Sequence, residues 1–403
     1  MTILHQPGDS VEGERLACVC RKIIRQQVVA GSHAHRALEL VVQGTPAKCV
    51  VLRPVRTLQN RKIAESMTWD PEVYRRGGVE IHCGDSLTLC RSWPSPVVIM
   101  VDGPYGIGSF PGDPHTVEEL PDWYRPHIQA WSEKSTPQTT LWFWNTELGW
   151  ATLHGLFVEN GWEFRNCHIW DKGKAHVAGN ANTKTLRKFP VRTEVCVQYV
   201  RKVLLPFNGT VKLPIKAWLR AEWLRTGLPL SLTNEACGVL NAATRKYFTK
   251  DHLWYFPPAD HFDRLVRYAN SKGNKTGRPY FSIDGKRPLT GLEWERMLAK
   301  FHCEYGIHNV WSEPPMRGAE RIKDEGNRCT HANQKPLRLV ELILRASSDK
   351  GDVVWEPFGG LCSVAMAAYR LGRKCYSTEI LPKFYQIACR RLADYSHAET
   401  LFS

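Results

Sequence analysis

The stretch "DVVWEPFGGLCSVAMAAYRLGRKCYSTEI", Asp352 to Ile380, decides how the chain folds. "DVVWEP" is a short run of β-favouring residues, and the glycine turn at Gly359 and Gly360 ends it. "SVAMAAYRLG" then carries apolar residues at helical spacing up to Gly372, and "KCYSTEI" is a second strand. Strand, turn, helix and strand make a βαβ unit, which implies a parallel sheet. The turn lies at the carboxyl edge of that sheet, where glycines allow a ligand to approach the backbone. Glu379 closes the second strand, about 20 residues beyond the glycines, the usual place for an acid that binds ribose hydroxyls. The unit therefore suggests a nucleoside cofactor, although the full G-x-G-x-x-G pattern is absent.

The same rhythm runs through an earlier region. "GVEIHCGDS" reads as a strand ending at Gly84 and Asp85, "VVIMV" as a strand stopped by Asp102-Gly103-Pro104-Tyr105, and "TTLWFWNTE" as a third, after a helix around "DWYRPHIQAWSEK". A helix at "LGWATLHGLFVENG" and strands at "WEFRNCHIWDK" and "EVCVQYVRK" follow. Gly173 to Thr193, basic and poor in apolar residues, reads as a long surface loop between those two strands.

The rhythm breaks between residues 204 and 326, a segment rich in Arg, Lys, Trp, Tyr and Phe. It contains "TNEACGVLNAATRKYF", read as a helix, a tight turn at Gly238 and a second helix. In a helix-turn-helix, Asn241, Thr244, Arg245 and Lys246 on the second helix would face DNA; a plain helical hairpin fits equally. Four segments result: an N-terminal extension (1–76), one half of an α/β domain (77–203), an insertion (204–326) and the other half (327–403). The extension holds a plausible helix at "GERLACVCRKIIRQQVV" and a strand at "KCVVLRPV".

Fifty-four Lys and Arg against 40 Asp and Glu leave a net charge of +14, which favours a polyanionic partner such as nucleic acid. The 13 cysteines are irregularly spaced and "MTILHQPGDS" has no apolar signal core, so a reducing, cytoplasmic setting is expected. No run approaches the ~18 apolar residues of a membrane span. Cys18, Cys20, His33 and His35 do not have the C-x₂₋₄-C spacing of structural zinc sites, and ordinary packing is the preferred reading.

Together these motifs resemble the amino-methyltransferases that modify exocyclic amines of DNA bases. Asp102-Gly103-Pro104-Tyr105 is similar to the family's Asp/Ser-Pro-Pro-Tyr, and Glu356-Pro357-Phe358-Gly359-Gly360-Leu361-Cys362-Ser363 to its Asp/Glu-Pro-Phe-x-Gly-x-Gly-Thr. "HANQKPL", His331 to Leu337, resembles the family's H-P-x-Q-K-P, and "IWDKG", Ile169 to Gly173, its Trp-x-Lys strand end. Gly103 and Cys362 depart from the pattern, standing where the family has proline and glycine. The order of motifs, catalytic half first and cofactor half last, resembles the β-class, whose middle insertion recognises the target.

The resemblance implies an α/β fold with a doubly wound, mostly parallel sheet and an inserted target-recognition domain. It implies S-adenosyl-L-methionine as cofactor, held by Asp85, Lys335, Glu356, Phe358, Gly360, Ser363 and Glu379, and no metal. Double-stranded DNA would be the substrate, with the target base flipped out. Asp102 and the carbonyl of Gly103 or Pro104 would take the two amine hydrogens, and Tyr105 would stack on the base. A bacterial or phage restriction-modification setting follows, with a cognate endonuclease as partner and a monomeric or dimeric enzyme. Asp102 favours adenine N6 over cytosine N4; RNA methylation and a catalytically dead DNA-binding protein are the other readings.

Overall fold

The computed structural model describes residues 38–39, 53–54, 73–108, 110, 112–173, 187–316, 321–322 and 334–400. The chain divides into two compact units, residues 1–68 and 69–403. In the first, β1 (Leu38–Glu39) pairs antiparallel with β2 (Arg53–Pro54), inside the stretch expected to be a strand. The expected helix over residues 13–29, together with Cys18, Cys20, His33 and His35, lies outside the described residues.

The second unit is built on strands β3 (Val73–Arg76), β4 (Val79–Cys83), β5 (Val98–Asp102), β6 (Thr140–Asn145), β7 (Trp162–Asp171) and β8 (Thr193–Arg201). Later in the chain come β9 (Leu204–Asn208), β10 (Val211–Pro214), β11 (Val310–Ser312), β12 (Val353–Glu356) and β13 (Lys374–Glu379). Nine of them form one sheet in the order β11-β7-β8-β6-β5-β12-β13-β4-β3. Strands β6, β5, β12, β13 and β4 are mutually parallel, and β7 with β8, β8 with β6, and β4 with β3 are antiparallel.

Strand periodicity sorts side chains onto two faces. Val98 and Met100 of β5, Trp142 and Trp144 of β6 and Val354 of β12 join one core, covered by helices Leu337–Ser347, Ser363–Arg370 and Pro382–Thr400. Ile99 and Val101, Leu141 and Phe143, and Trp355 join the opposite core, beneath helices Leu120–Lys134 and Glu147–Glu159. Helices on both faces of a mostly parallel sheet make the doubly wound architecture expected from the sequence.

Two boundaries differ from the sequence reading. Val73–Arg76 belongs to the sheet and not to the N-terminal extension, because Gly77, at φ +55°, turns the chain back so that β3 pairs with β4. Val310–Ser312 lies in the expected insertion but adds to the sheet edge beside β7, seating Trp311 in the sheet core. Only the flanks of the loop expected over 173–193 are described.

The insertion has a core of its own, in which Trp218, Trp223 and Trp294 are fully buried, with the Trp294 ring stacked between Phe256 and Phe262. A β9–β10 hairpin and five helices surround it. The hinted helix pair is present as Leu232–Cys237 and Ala242–Tyr247, six residues each, joined through Gly238 in the left-handed conformation. Within this core Glu222 is completely buried, accepting from Arg225 at 2.7 Å, Arg278 at 2.6 Å and the Phe281 backbone N–H at 2.7 Å. Removing one member of a buried ionic cluster leaves uncompensated charge. Glu222→Ala should therefore destabilise the insertion by about 3–5 kcal/mol, measured as a lowered denaturation midpoint.

Candidate active site

The neighbouring parallel strands β5, β12, β13 and β4 end at one edge, in Asp102, Glu356, Glu379 and Cys83, so two halves of the chain share a site. Glu379 Oε2 accepts from Gly360 N–H and Oε1 from Leu381 N–H, both at 2.8 Å, and burial pushes its carboxyl up to about 7. The Gly84 N–H donates to the Glu379 carbonyl, tying β4's end to the same corner.

Other residues expected to hold the cofactor have partners within the chain. Glu356 is buried and accepts from Val364 and Ala365 N–H and from the Ser377 hydroxyl, anchoring the positive N-terminus of helix Ser363–Arg370. Burial raises its carboxyl to about 7. Asp85 caps helix Ser86–Leu89 through Leu87 and Thr88 N–H, and Ser363 takes a 3.3 Å bond from Arg391. Cys362 adopts φ +53°, the left-handed backbone that the family's glycine accommodates freely. Its thiol is buried in the sheet core and accepts from the Ser377 hydroxyl, so its side chain does not crowd the edge.

Phe358, half-buried, packs among Trp123, Tyr124, His127 and Trp131, with ring centroids 5.3–6.3 Å away. This box explains Gly103. A Cβ there would strike the Tyr124 hydroxyl and come within 2.6 Å of the Phe358 ring. A proline there would meet the same two side chains.

At the end of β5, Asp102 Oδ1 accepts from the Lys335 ammonium at 2.7 Å and the Tyr105 hydroxyl at 2.8 Å. Lys335, expected beside the cofactor, is buried at 5% exposure in this cluster, 3.4 Å from Glu194 Oε2. Burial alone would lower the lysine's proton affinity, but Asp102 and Glu194 outweigh it and hold the ammonium charged. Glu194 also pairs with Lys172, and against the effect of burial the two ammoniums keep its carboxyl low. Tyr105, expected to stack on a base, is 7% exposed, and burial with the nearby carboxylates keeps its hydroxyl protonated.

The Pro104 carbonyl accepts from both Tyr124 (3.2 Å) and Asn145 Nδ2 (3.0 Å), which occupies its two lone pairs. Of the two candidate carbonyls, Gly103 is thus the one left for a substrate. Sequence reasoning missed Glu194, Tyr124 and Asn145; the strand-ending Asn145 of "TLWFWN" was the one local signal. In the insertion, Asn241, Arg245 and Lys246 are exposed, with the Lys246 ammonium 5.4 Å from the Tyr255 ring centroid. Thr244 is turned inward, its hydroxyl bonded to Thr233 and the Leu230 carbonyl, so it does not join that surface.

This edge brings together a carboxylate, a backbone carbonyl and an acid beside a glycine turn. The sequence profile of the family described as DNA methylase matches residues 97–390, and the chain belongs to that family. It is 37% identical over 86 residues to the type II methyltransferase M.HinfI of Haemophilus influenzae, 21% of this chain and 24% of that one. It is 37% identical over 89 residues to the DNA adenine methyltransferase YhdJ of Escherichia coli K12, 22% of this chain and 29% of that one. The aligned segments thus span roughly a quarter of each relative. Among solved structures it is similar to the M1.HpyAVI–SAM complex, at 14% identity and TM-score 0.42 over 78% of this chain and 98% of that one. The cytosine-N4-specific PvuII DNA methyltransferase gives 13% identity and TM-score 0.42, over 80% and 94%.

The crowding at Gly103 can be tested on stability. Gly103→Ala should cost about 1–3 kcal/mol through overpacking, and Tyr124→Phe in the same chain should recover part of it by removing the nearest obstacle. Thermal unfolding of the unaltered chain and the two variants measures both effects.

Proposed function

We propose that the chain transfers the methyl group of S-adenosylmethionine to N6 of a flipped-out adenine in double-stranded DNA. The observation that carries this reading is that Asp102 and Glu379 end the two strands flanking β12, one beside the Asp-Gly-Pro-Tyr turn and one beside the glycine turn. The residues suit the cofactor's chemistry. The Glu379 carboxylate accepts from the backbone N–H groups of Gly360, Leu381 and Ile380 and keeps acceptor capacity for a ribose hydroxyl, while the half-buried Phe358 ring offers an apolar face.

When bound, S-adenosylmethionine supplies an electrophilic methyl carbon. The chain's part is to make a conjugated amine nucleophilic. With Oδ1 of Asp102 committed to Lys335 and Tyr105, Oδ2 is the oxygen that accepts one amine hydrogen. The Gly103 carbonyl accepts the other, and the pair draws the nitrogen lone pair out of ring conjugation. A base stacked in a duplex cannot bring its amine between a carboxylate and a carbonyl at a sheet edge, so flipping is part of the reading.

Asn241, Arg245 and Lys246 on the insertion, with the net charge of +14, support DNA contact there, phosphates giving affinity and base edges specificity. Adenine is favoured over cytosine N4 by Asp102 at the first motif position, and the similarity to an adenine methyltransferase agrees. A restriction-modification setting with a cognate endonuclease is supported by the similarity to M.HinfI. Among the described residues no helix is long and apolar enough to cross a membrane.

Asp102→Ala should abolish methyl transfer while cofactor affinity stays within a few-fold, because the carboxylate meets the amine and not the cofactor. Mass spectrometry of digested DNA should give N6-methyladenine with the unaltered chain and none with the variant; N4-methylcytosine alone would reassign the base. Binding should also depend on pH. Glu379 accepts hydroxyls best as a carboxylate, and its pKa is raised to about 7, so cofactor affinity should fall as pH drops through that value. Calorimetry at a series of pH values checks this, and Glu379→Gln should flatten the dependence.

A further inference from the structure

The charged cluster behind Asp102 is more elaborate than a single ion pair. Lys335 Nζ lies 2.7 Å from Asp102 Oδ1, 2.9 Å from the Tyr105 hydroxyl and 3.4 Å from Glu194 Oε2. Its ammonium also sits 5.4 Å from the ring centroids of both Tyr105 and Trp144, so two aromatic rings and two carboxylates confine it. Glu194 is held from its other side by Lys172, whose ammonium lies 4.9 Å from the Trp170 ring centroid. Asp102, Lys335, Glu194 and Lys172 thus alternate in sign and sum to zero, and of the four Asp102 has the most exposed side chain, at 25%.

Both donors that reach Asp102, Tyr105 and Lys335, end on the same oxygen. A lysine ammonium has three donors and a flexible stem, so one that faced a carboxylate alone would be free to span both oxygens. Here Glu194 competes for the same ammonium. We propose that Glu194 is a positioning residue: it holds Lys335 on Oδ1 of Asp102, so that Oδ2 remains open to the substrate amine. Glu194 Oε2 also lies 3.5 Å from the hydroxyl of Tyr105, the other donor to Oδ1, and in the methyl-transfer reading it acts on Asp102 through Lys335. This inference rests on the methyl-transfer reading above, because it assigns a purpose to the free oxygen.

The experiment compares kcat, KM for duplex DNA and cofactor Kd for the unaltered chain, Glu194→Gln, Lys335→Met and the double variant. Glutamine keeps the size and an acceptor but removes the charge, so Lys335 is free to close over both oxygens. Glu194→Gln should lower kcat roughly 10- to 100-fold, the cost of a small misplacement at a reacting centre, with KM and Kd within about twofold. In the Lys335→Met background the same substitution should have little further effect, since the lysine it steers is gone. Glu194→Asp, which keeps the charge on a shorter arm, should fall between and covers the case that Glu194→Gln does not fold. An unchanged kcat, an equal kcat loss in the Lys335→Met background, or loss of cofactor binding in step with kcat overturns the proposal. An unaltered chain that binds cofactor yet methylates no duplex overturns the methyl-transfer reading, and the positioning role with it.

Discussion

The ladder between β5 and β12 is the contact on which the rest depends. Val98 pairs with Val354 and Ile99 with Trp355, and this short parallel register joins segments separated by the whole insertion. It sets Asp102 one strand away from the glycine turn and two strands away from Glu379. The alternation of Val98 and Met100 to one core and Ile99 and Val101 to the other makes the register expensive to shift, because a slip of one residue would exchange the two faces. The same constraint accounts for Glu356, at the end of β12. Its carboxylate binds the first turn of the following helix and fixes the glycine turn, so an acid in a cofactor motif earns its place through backbone hydrogen bonds.

Burying charge behind Asp102 is costly in isolation, and the structure offsets that cost by alternation. Each carboxylate faces an ammonium, each ammonium lies against aromatic rings, and the outermost carboxylate keeps partial contact with solvent. Such a cluster is rigid at its centre, because Lys335 and Glu194 each face an opposite charge on two sides. Rigidity matters for a reaction in which a neutral amine has to be oriented and not merely bound.

Features carried by contiguous residues were legible in the sequence. The strands, the Asp-Gly-Pro-Tyr turn, the glycine turn and Glu379 are each signalled within a few positions, and the helix pair around Gly238 is where its pattern placed it. What escaped is long-range. Lys335 and Asp102 stand 233 residues apart, and nothing in "NQKPL" tells that its lysine reaches back to a carboxylate on β5. Gly103 is a bare departure from the family pattern in the sequence, and the crowding that suits a glycine there is visible only once Phe358 and Tyr124 fill the adjoining space. The edge strand β11 was hidden for another reason: three residues are too few to show a period, and their pairing with β7 is what defines them. Strand β3 carries a signal in its Gly77-Gly78 turn, but at four residues, two of them arginine, it is too short and too charged to show a period.

The interleaving of the two halves also orders the events of folding. Strands β4 and β5 emerge early from the ribosome, yet the two strands that fill the gap between them, β12 and β13, are made last. Until then β5 has a partner on one side only, and the centre of the sheet is an open template. The insertion, with its own tryptophan-rich core, can condense while the sheet waits. Closure of the sheet is therefore a late, non-local step with a large loop to bridge, the kind of topology that folds slowly and leaves strand edges exposed to neighbours. Synthesis of this chain is a race between its own last strands and other polypeptides for the same row of backbone hydrogen bonds.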